Sequence, residues 1–300
     1  MPHSLNTQSF SDTLTKLQDK VARRGINYSL DRLSNALTKL NNPHQSLPST
    51  VHIAGTNGKG SVAHYLTHAL IQQNRQVITY TSPHIQCYTE RFLINGRPID
   101  QSQFSDLFDA VAHADTNNEL SEYELLTLMA FTLVQQESPE VFLMETGLGG
   151  RLDATNVVPS SMAIITDIGL DHTSILGPSI SDIAKEKAGI IKEHSTLITH
   201  LDHEPNVLEI IKEHAKQQCA TIHWSGPKPN MHNRNKGLAT IAINELLSID
   251  HGEEIITSIA PPFGRLTPST YHGTPCWMDV GHNLHAAKAI HQTLPNADQW

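Results

Sequence analysis

Val51-His52-Ile53-Ala54-Gly55-Thr56-Asn57-Gly58-Lys59-Gly60-Ser61 is the stretch on which the fold turns. Its first four residues read as a short buried strand, and apolar spacing from about 61 to 73 reads as a helix, so the glycines fall in a strand-to-helix turn. Glycines let the backbone curl until successive N–H groups point inward, and a helix N-terminus adds positive potential. Lys59 brings a point charge for β- and γ-phosphates, and Ser61 a hydroxyl for a phosphate or a metal. The spacing is not the standard Walker A run: it is shorter between glycines and sets Gly60 between lysine and serine. A plain glycine-rich turn is the weaker reading, because lysine, serine and flanking pattern coincide. A nucleoside triphosphate loop is expected.

Outward from the loop, strand and helix patterns alternate. Helical spacing covers 8–24 (Leu14, Leu17, Val21) and 30–41 (Leu30, Leu33, Leu37, Leu40), closed by Pro43 and Pro48. After the loop come a strand at 77–81, helices near 101–114 and 121–137, and strands at 141–144 and 163–166. A helix at 179–189, a strand at 196–199, a helix at 205–217 and a strand at 220–223 follow. Such alternation predicts an α/β fold with a doubly wound, mostly parallel sheet. Residues 225–230 read as a linker, followed by a helix at about 235–247 and a Pro/Gly-rich hinge at 260–264. A strand at 275–279 and a helix from Leu284 end the chain. The pattern divides it into a P-loop domain, 1–225, and a partial second α/β domain, 226–300, hinged near 260–266.

Composition narrows the function. The chain has 300 residues, with Lys+Arg 21 against Asp+Glu 30, a net charge of −9 and a pI near 6.1. It offers no polyanion footprint, so no nucleic-acid partner is expected. Aromatics make up only 5% and mean hydropathy is −0.30, so the core is aliphatic. Apolar runs such as 141–144 and 163–165 are strand-sized, far below the roughly 18–20 residues that span a bilayer, so no membrane partner is expected. Residues 1–10 are polar and lack an apolar signal core, which points to the cytoplasm. Cys87, Cys219 and Cys276 form no CxxC pair and read as reduced, neither bridging nor metal-binding. Of the 19 histidines, His64 and His68 are spaced i, i+4 without an intervening glutamate and read as surface residues.

Ligands of open parallel sheets bind beyond the carboxyl ends of the strands. Three such ends carry polar groups here: Ser82-Pro83-His84, Glu145, and Asp171-His172. Glu145 caps four apolar residues, and burying it without a cation is costly. Magnesium beside triphosphate oxygens removes that cost; a salt-bridged structural carboxylate is the alternative. His84 reads equally as a substrate contact or a structural residue. Gly147-Leu148-Gly149-Gly150-Arg151 is not a GxGxxG fingerprint. Lys185, Glu186 and Lys187 share a helix with the apolar Ile180, Ile183, Ala184 and Ile191, and pattern alone makes these charges a solvated face.

Several segments resemble folylpolyglutamate synthase/dihydrofolate synthase, the folate-specific relatives of the Mur ligases. They are Leu30-Asp31-Arg32 before Asn42-Pro43, then 51–61, Thr81-Ser82-Pro83-His84, Glu90-Arg91-Phe92 and Ile94-Asn95-Gly96. The match continues through 145–156, 168–176 and 183–192. The resemblance implies that Gly58, Lys59, Gly60 and Ser61 bind ATP phosphates and that Ser82, Glu145 and His172 hold Mg2+. It makes Lys187 a carbamylated lysine, whose anionic oxygen suits a magnesium site where an ammonium would repel it. Lys59, Lys187 and His172 form the implied catalytic set. Residues 82–98 would be a mobile loop over the folate, and His84, Ser121 and Tyr123 would meet the substrate, where the family more often has threonine and phenylalanine at the last two. Asn235 resembles the asparagine facing adenine, Arg265 the hinge arginine on the phosphates, and Asp279 the aspartate contacting the nucleotide.

The implied reaction is ATP-dependent amide formation between L-glutamate and dihydropteroate or a folate through an acyl phosphate, by a monomer. Agreement thins past residue 200, with Leu284 where the family usually has proline. The 35 residues after Arg265 fall below the roughly 50 of a self-sufficient domain. Only the first strand and helix of the C-terminal unit are expected, with uncovered apolar faces at 278–280 and 286–290. A nucleotide- or folate-binding remnant without turnover is therefore the alternative. A GTPase is disfavoured because no NKxD motif is present.

Overall fold

The computed structural model describes residues 9–22 and 29–294. Two helices, α1 (Phe10–Ala22) and α2 (Asp31–Lys39), precede β1 (Ser49–Ala54) and α3 (Lys59–Gln72). Then come β2 (Val77–Tyr80), the short strands β3 (Phe92–Ile94) and β4 (Arg97–Pro98), α4 (Gln101–Ala112), α5 (Glu122–Glu137) and β5 (Val141–Glu145). They are followed by β6 (Met162–Ile165), α6 (Thr173–Leu176), α7 (Ile180–Ala188), β7 (Thr196–His200), α8 (Pro205–Gln217) and β8 (Thr221–Ser225). The chain closes with α9 (Met231–Leu247), α10 (Gly252–Ser258), the hairpin β9 (Thr267–Tyr271) and β10 (Thr274–Met278), and α11 (Leu284–Thr293).

Eight strands form one sheet in the order β4-β3-β2-β5-β1-β6-β7-β8. In the order from β2 across to β8 neighbouring strands are parallel, with Val51 opposite Leu143 and Met162; the β2–β3 and β3–β4 pairs, at the edge, are antiparallel. This is the expected doubly wound sheet. Its central strands are apolar on both faces, as strands covered by helices on both sides must be. Period-two alternation sends Val141 and Leu143 to the face under α3, α9 and α10, and Phe142 and Met144 to the opposite face under α4 and α5. Next to that second layer, Ala163, Ile165 and Leu197 pack against α7 and α8.

Three features depart from the sequence-level expectation. Helix α9 begins at Met231, and its Leu238, Ala239, Ala242 and Ile243 share a core with Val51, Ile53 and α3; Ile255, Ile256 and Ile259 join them. The continuous core therefore runs past a boundary at 225/226 and stops at Ile259, just before the expected hinge. His64 and His68 are half-buried rather than on the surface, with rings 4.4 Å apart and His64 Nε2 3.1 Å from the Ala260 carbonyl. Beyond the hinge, β10 pairs antiparallel with β9, a strand that the alternating pattern did not show. Met278 and Val280 are exposed as expected, Trp277 is exposed beside them, and Ala286 is buried where α11 folds back over Gly281. The three cysteines are free, and among the described residues no helix is long and apolar enough to cross a membrane.

Replacing Phe142, fully buried in β5, by alanine should cost about 3–5 kcal/mol in urea unfolding. Trp277→Ala on the exposed hairpin should cost less than about 1 kcal/mol in the same measurement.

Candidate active site

The loop after β1 is fastened to the end of β6. Thr56 N–H donates to the Asp167 carbonyl (2.7 Å), Thr166 Oγ1 donates to the Asn57 carbonyl (2.6 Å), and Thr56 Oγ1 bonds the Gly169 backbone. Gly55 is required because a Cβ there would lie 1.7 Å from Thr166 Oγ1. Gly58 caps α3 with φ +93°, a left-handed conformation that favours glycine. The helix begins at Lys59, two residues earlier than the periodicity suggests, so its first-turn N–H groups, which lack intrahelical partners, follow the glycine loop directly.

Lys59 Nζ donates to the Gly55 carbonyl (3.2 Å) and stands 3.9 Å from Glu145 Oε1. Ser82 N–H donates to Glu145 Oε2 (3.3 Å), so the ends of β2 and β5 meet at this carboxylate. Glu145 is 4% exposed, and burial pushes its pKa up to about 7 against the opposing pull of Lys59. A carboxylate so poorly compensated fits a bound cation. Lys187 is 3% exposed, and burial pulls its ammonium down to about 7, helped by repulsion from Lys59. The solvated-face reading holds for exposed Lys185 and fails for Lys187. The reason is tertiary: the glycine turn lets α7 come close, since a Cβ on Gly150 would lie 2.7 Å from the Glu186 carbonyl and 3.2 Å from Lys187 Cα. Arg151 N–H donates to that carbonyl (2.7 Å), and the Arg151 guanidinium pairs with Glu186 (2.8 Å).

His172 is exposed, caps α6 and lies 3.8 Å from its neighbour Asp171. Ser82 thus meets Glu145, while His172 stands beside Asp171 after β6. Among the described residues no three His, Cys, Asp or Glu side chains are grouped to hold a metal. Asn283 Nδ2 donates to Asp171 (2.8 Å), and Asn283 also bonds Asn57, tying the start of α11 to the loop. Gly58, Ser61, Asn235, Arg265 and Asp279 line one small cleft together with Ile290 of α11. Arg265 sits 3.9 Å from Asp279, whose carboxylate accepts Leu266 N–H (2.9 Å).

Two of the three expected substrate contacts, Ser121 and Tyr123, stand at the start of α5, and His84 lies within electrostatic reach of Glu122 there. Tyr123 rests its ring on Gly147 beside Tyr80 and donates its hydroxyl to the Glu145 carbonyl (3.3 Å). Ser121 is the N-cap, with Ser121 Oγ accepting Glu124 N–H (3.2 Å) and Glu124 accepting Ser121 N–H (2.7 Å). His84 Nδ1 accepts Arg91 Nε–H (2.9 Å), and burial followed by the Arg91 charge lowers its pKa.

Sequence reading missed two supports. Arg32 reaches both Glu124 oxygens at 3.2 Å and anchors the start of α5 to α2. His52, wholly buried, pairs through Nε2 with Thr155 Oγ1 (2.7 Å), which donates to Asp153 (2.5 Å); Asp153 in turn accepts Leu148 N–H (2.7 Å) and holds the glycine turn. A histidine in an otherwise apolar strand was the available signal.

Residues 53–257 match the family described as Mur ligase middle domain. The chain belongs to the Mur ligase family. Its branch follows from Haemophilus influenzae dihydrofolate synthase/folylpolyglutamate synthase, 30% identical over 310 residues, a match covering 90% of this chain and 70% of that one. Saccharomyces cerevisiae dihydrofolate synthetase is 40% identical over 198 residues, covering 64% of this chain and 46% of that protein. Escherichia coli FolC, solved with DHPP and ADP, superposes with a TM-score of 0.86 at 28% identity, over 99% of this chain and 77% of that one. This Mur ligase-family chain spans about half the length of most of the curated relatives it matches, the yeast and Bacillus subtilis proteins among them.

The two displaced pKa values set a pH signature for the ligand-free protein. Glu145 binds its proton more tightly when folded, so its stability penalty grows as pH rises from about 4.5 to about 7. Lys187 releases its proton more readily when folded, so its penalty is full below about 7 and is relieved as pH rises toward 10.5. Glu145→Gln should therefore stabilise the ligand-free chain at pH 8 by on the order of 1–3 kcal/mol, with the gain vanishing near pH 4.5. Thermal unfolding across that pH range reads both effects.

Proposed function

We propose that the chain is an ATP-dependent ligase that joins L-glutamate to dihydropteroate or a folate through an acyl phosphate. One observation carries this reading: a glycine loop whose Lys59 lies 3.9 Å from the buried carboxylate of Glu145 and close enough to the buried Lys187 to repel its charge. A protein retains such costly charges where they act on a charged reacting group. Relatives named dihydrofolate synthase/folylpolyglutamate synthase support the substrate class.

In the proposed mechanism, Gly58, Lys59, Gly60 and Ser61 receive the phosphates, and Asn235, Arg265 and Asp279 hold the rest of the nucleotide. Lys59 balances charge on the γ-phosphoryl as it passes to the substrate carboxylate and ADP departs. Glu145 and Ser82, with His172 and Lys187, would hold Mg2+, which when bound neutralises charge spreading over the transferred group. The glutamate amine then attacks the acyl carbon, loses a proton, and inorganic phosphate leaves with the C–O bond. No side-chain nucleophile is needed; positioning does most of the work. A Lys187 amine that is about half neutral near pH 7 can add CO2 at Nζ and release a proton to solvent, forming an anionic carbamate that suits this site. Tyr123, Ser121 and His84 line the substrate side. The protein acts as a cytoplasmic monomer on these small molecules.

ADP release should require ATP, Mg2+, glutamate and dihydropteroate or a folate together. Lys59→Ala should lower kcat/KM by about a thousandfold or more, a loss of roughly 4 kcal/mol of transition-state stabilisation. Nucleotide binding without turnover would instead identify a binding remnant and sink the ligase reading. Stripping CO2 and bicarbonate from the buffer should lower turnover reversibly. Turnover should rise with pH through about 7 as Lys187 loses its proton, which a pH–rate profile at fixed bicarbonate measures.

A further inference from the structure

A part-buried ion-pair cluster beside the phosphate loop is left unused by the amide-forming chemistry. Arg234, one residue before Asn235 on α9, sends Nε (3.0 Å) and Nη2 (2.5 Å) to Asp167 Oδ1 and pairs through Nη1 with Asp202. Asp167 is 6% exposed. It also holds the loop, because its carbonyl accepts Thr56 N–H (2.7 Å) and its backbone bridges to Asn57. One residue thus fastens the phosphate loop through its main chain and α9 through its side chain.

The neighbouring groups leave this role to the arginine. His200 is fully buried 4.0 Å from the Asp167 carboxylate, with neither ring nitrogen hydrogen-bonded. Burial and the Arg234 charge push its pKa down to about 4, so it is neutral at pH 7 and does not share the charge balance. The planar guanidinium reaches two carboxylates at once, which a lysine ammonium cannot do in the same geometry. On the adjoining turn, Asn235 Oδ1 is buried without a partner and faces the loop so closely that a Cβ on Gly58 would lie 2.4 Å from it. A buried acceptor without a donor is costly, and the exocyclic amine of a 6-aminopurine is a donor of the right kind.

We infer that Arg234 is a positioning residue for the adenine nucleotide: by clamping the start of α9 to Asp167, it sets the gap between the phosphate loop and Asn235. The inference rests on the ATP reading above. It concerns how the base and the phosphates are held in register, not the transfer step.

The test is equilibrium binding of a fluorescent ADP analogue with ATP competition, alongside steady-state kinetics. Arg234→Gln should weaken ADP binding and raise the KM for ATP by about tenfold or more, leaving the KM values for glutamate and dihydropteroate unchanged. Arg234→Lys should recover part of the loss, and Asp202→Asn should cost a few-fold. Arg75→Gln, which breaks an exposed ion pair with Glu140, controls for loss of charge and should change nothing. ADP affinity within about twofold of wild type in Arg234→Gln, or equal weakening toward all three substrates, overturns the inference. Should Arg234→Gln fail to fold, wild-type ADP affinity in both Arg234→Lys and Asp202→Asn overturns it. A wild-type chain that binds no adenine nucleotide overturns the ATP reading and this inference together, whereas normal binding in both proteins overturns this inference alone.

Discussion

Three ionisable side chains gather at the carboxyl end of the central strands, two of them almost without water. Glu145 and Lys187 are each pushed toward neutrality by desolvation, and Lys59 stands close enough to influence both. Left to itself such a site is unfavourable, because removing a charge from water costs more than a 3.9 Å ion pair returns. The remaining architecture has to impose it. A parallel sheet buried on both faces supplies the rigidity, and the parallel register of β1, β2, β5 and β6 brings the ends of four strands to one place.

The supports of this site are arranged so that each loop is held by its neighbours. Thr56 and Asn57 of the phosphate loop are tied to the residues following β6. The glycine turn after Glu145 hangs on Asp153, which the buried His52–Thr155 pair steadies from beneath. The start of α5 is held by its capping box and by Arg32 from α2, a helix distant in sequence. Where the loop meets α9, Arg234 and Asp167 make the joint. Buried polar pairs of this kind specify geometry rather than add much stability, since both partners gave up water to form them.

Local pattern carried the sheet and the loop, and it failed where contacts came from afar. Strands such as 141–144 and 163–166 announce themselves by apolar residues that need cover on both faces. The glycines of the phosphate loop announce a backbone conformation. Helix α10 and strand β9 escaped notice because seven and five residues of weak pattern are shaped by what they pack or pair with. The same reason governs α9: a proline-rich stretch at 225–230 resembles a linker, yet α9 beyond it shares a core with α3.

The sequence alone determined that a glycine-rich loop sits at the head of a doubly wound sheet, and that Glu145 ends a buried strand. Period-two and helical spacing, glycine placement and charge are local properties that no partner is needed to read. It also carried the family resemblance, because the motifs lie in order along the chain. Only the tertiary structure decided that Lys187 is buried while Lys185, two residues away, is exposed, and that Asp167 has Arg234 for its partner. Those outcomes depend on Gly150 letting α7 approach and on α9 packing against α3, contacts between segments far apart in sequence. Desolvation is a property of the assembled surroundings, so it cannot be read from a side chain until its neighbours are in place.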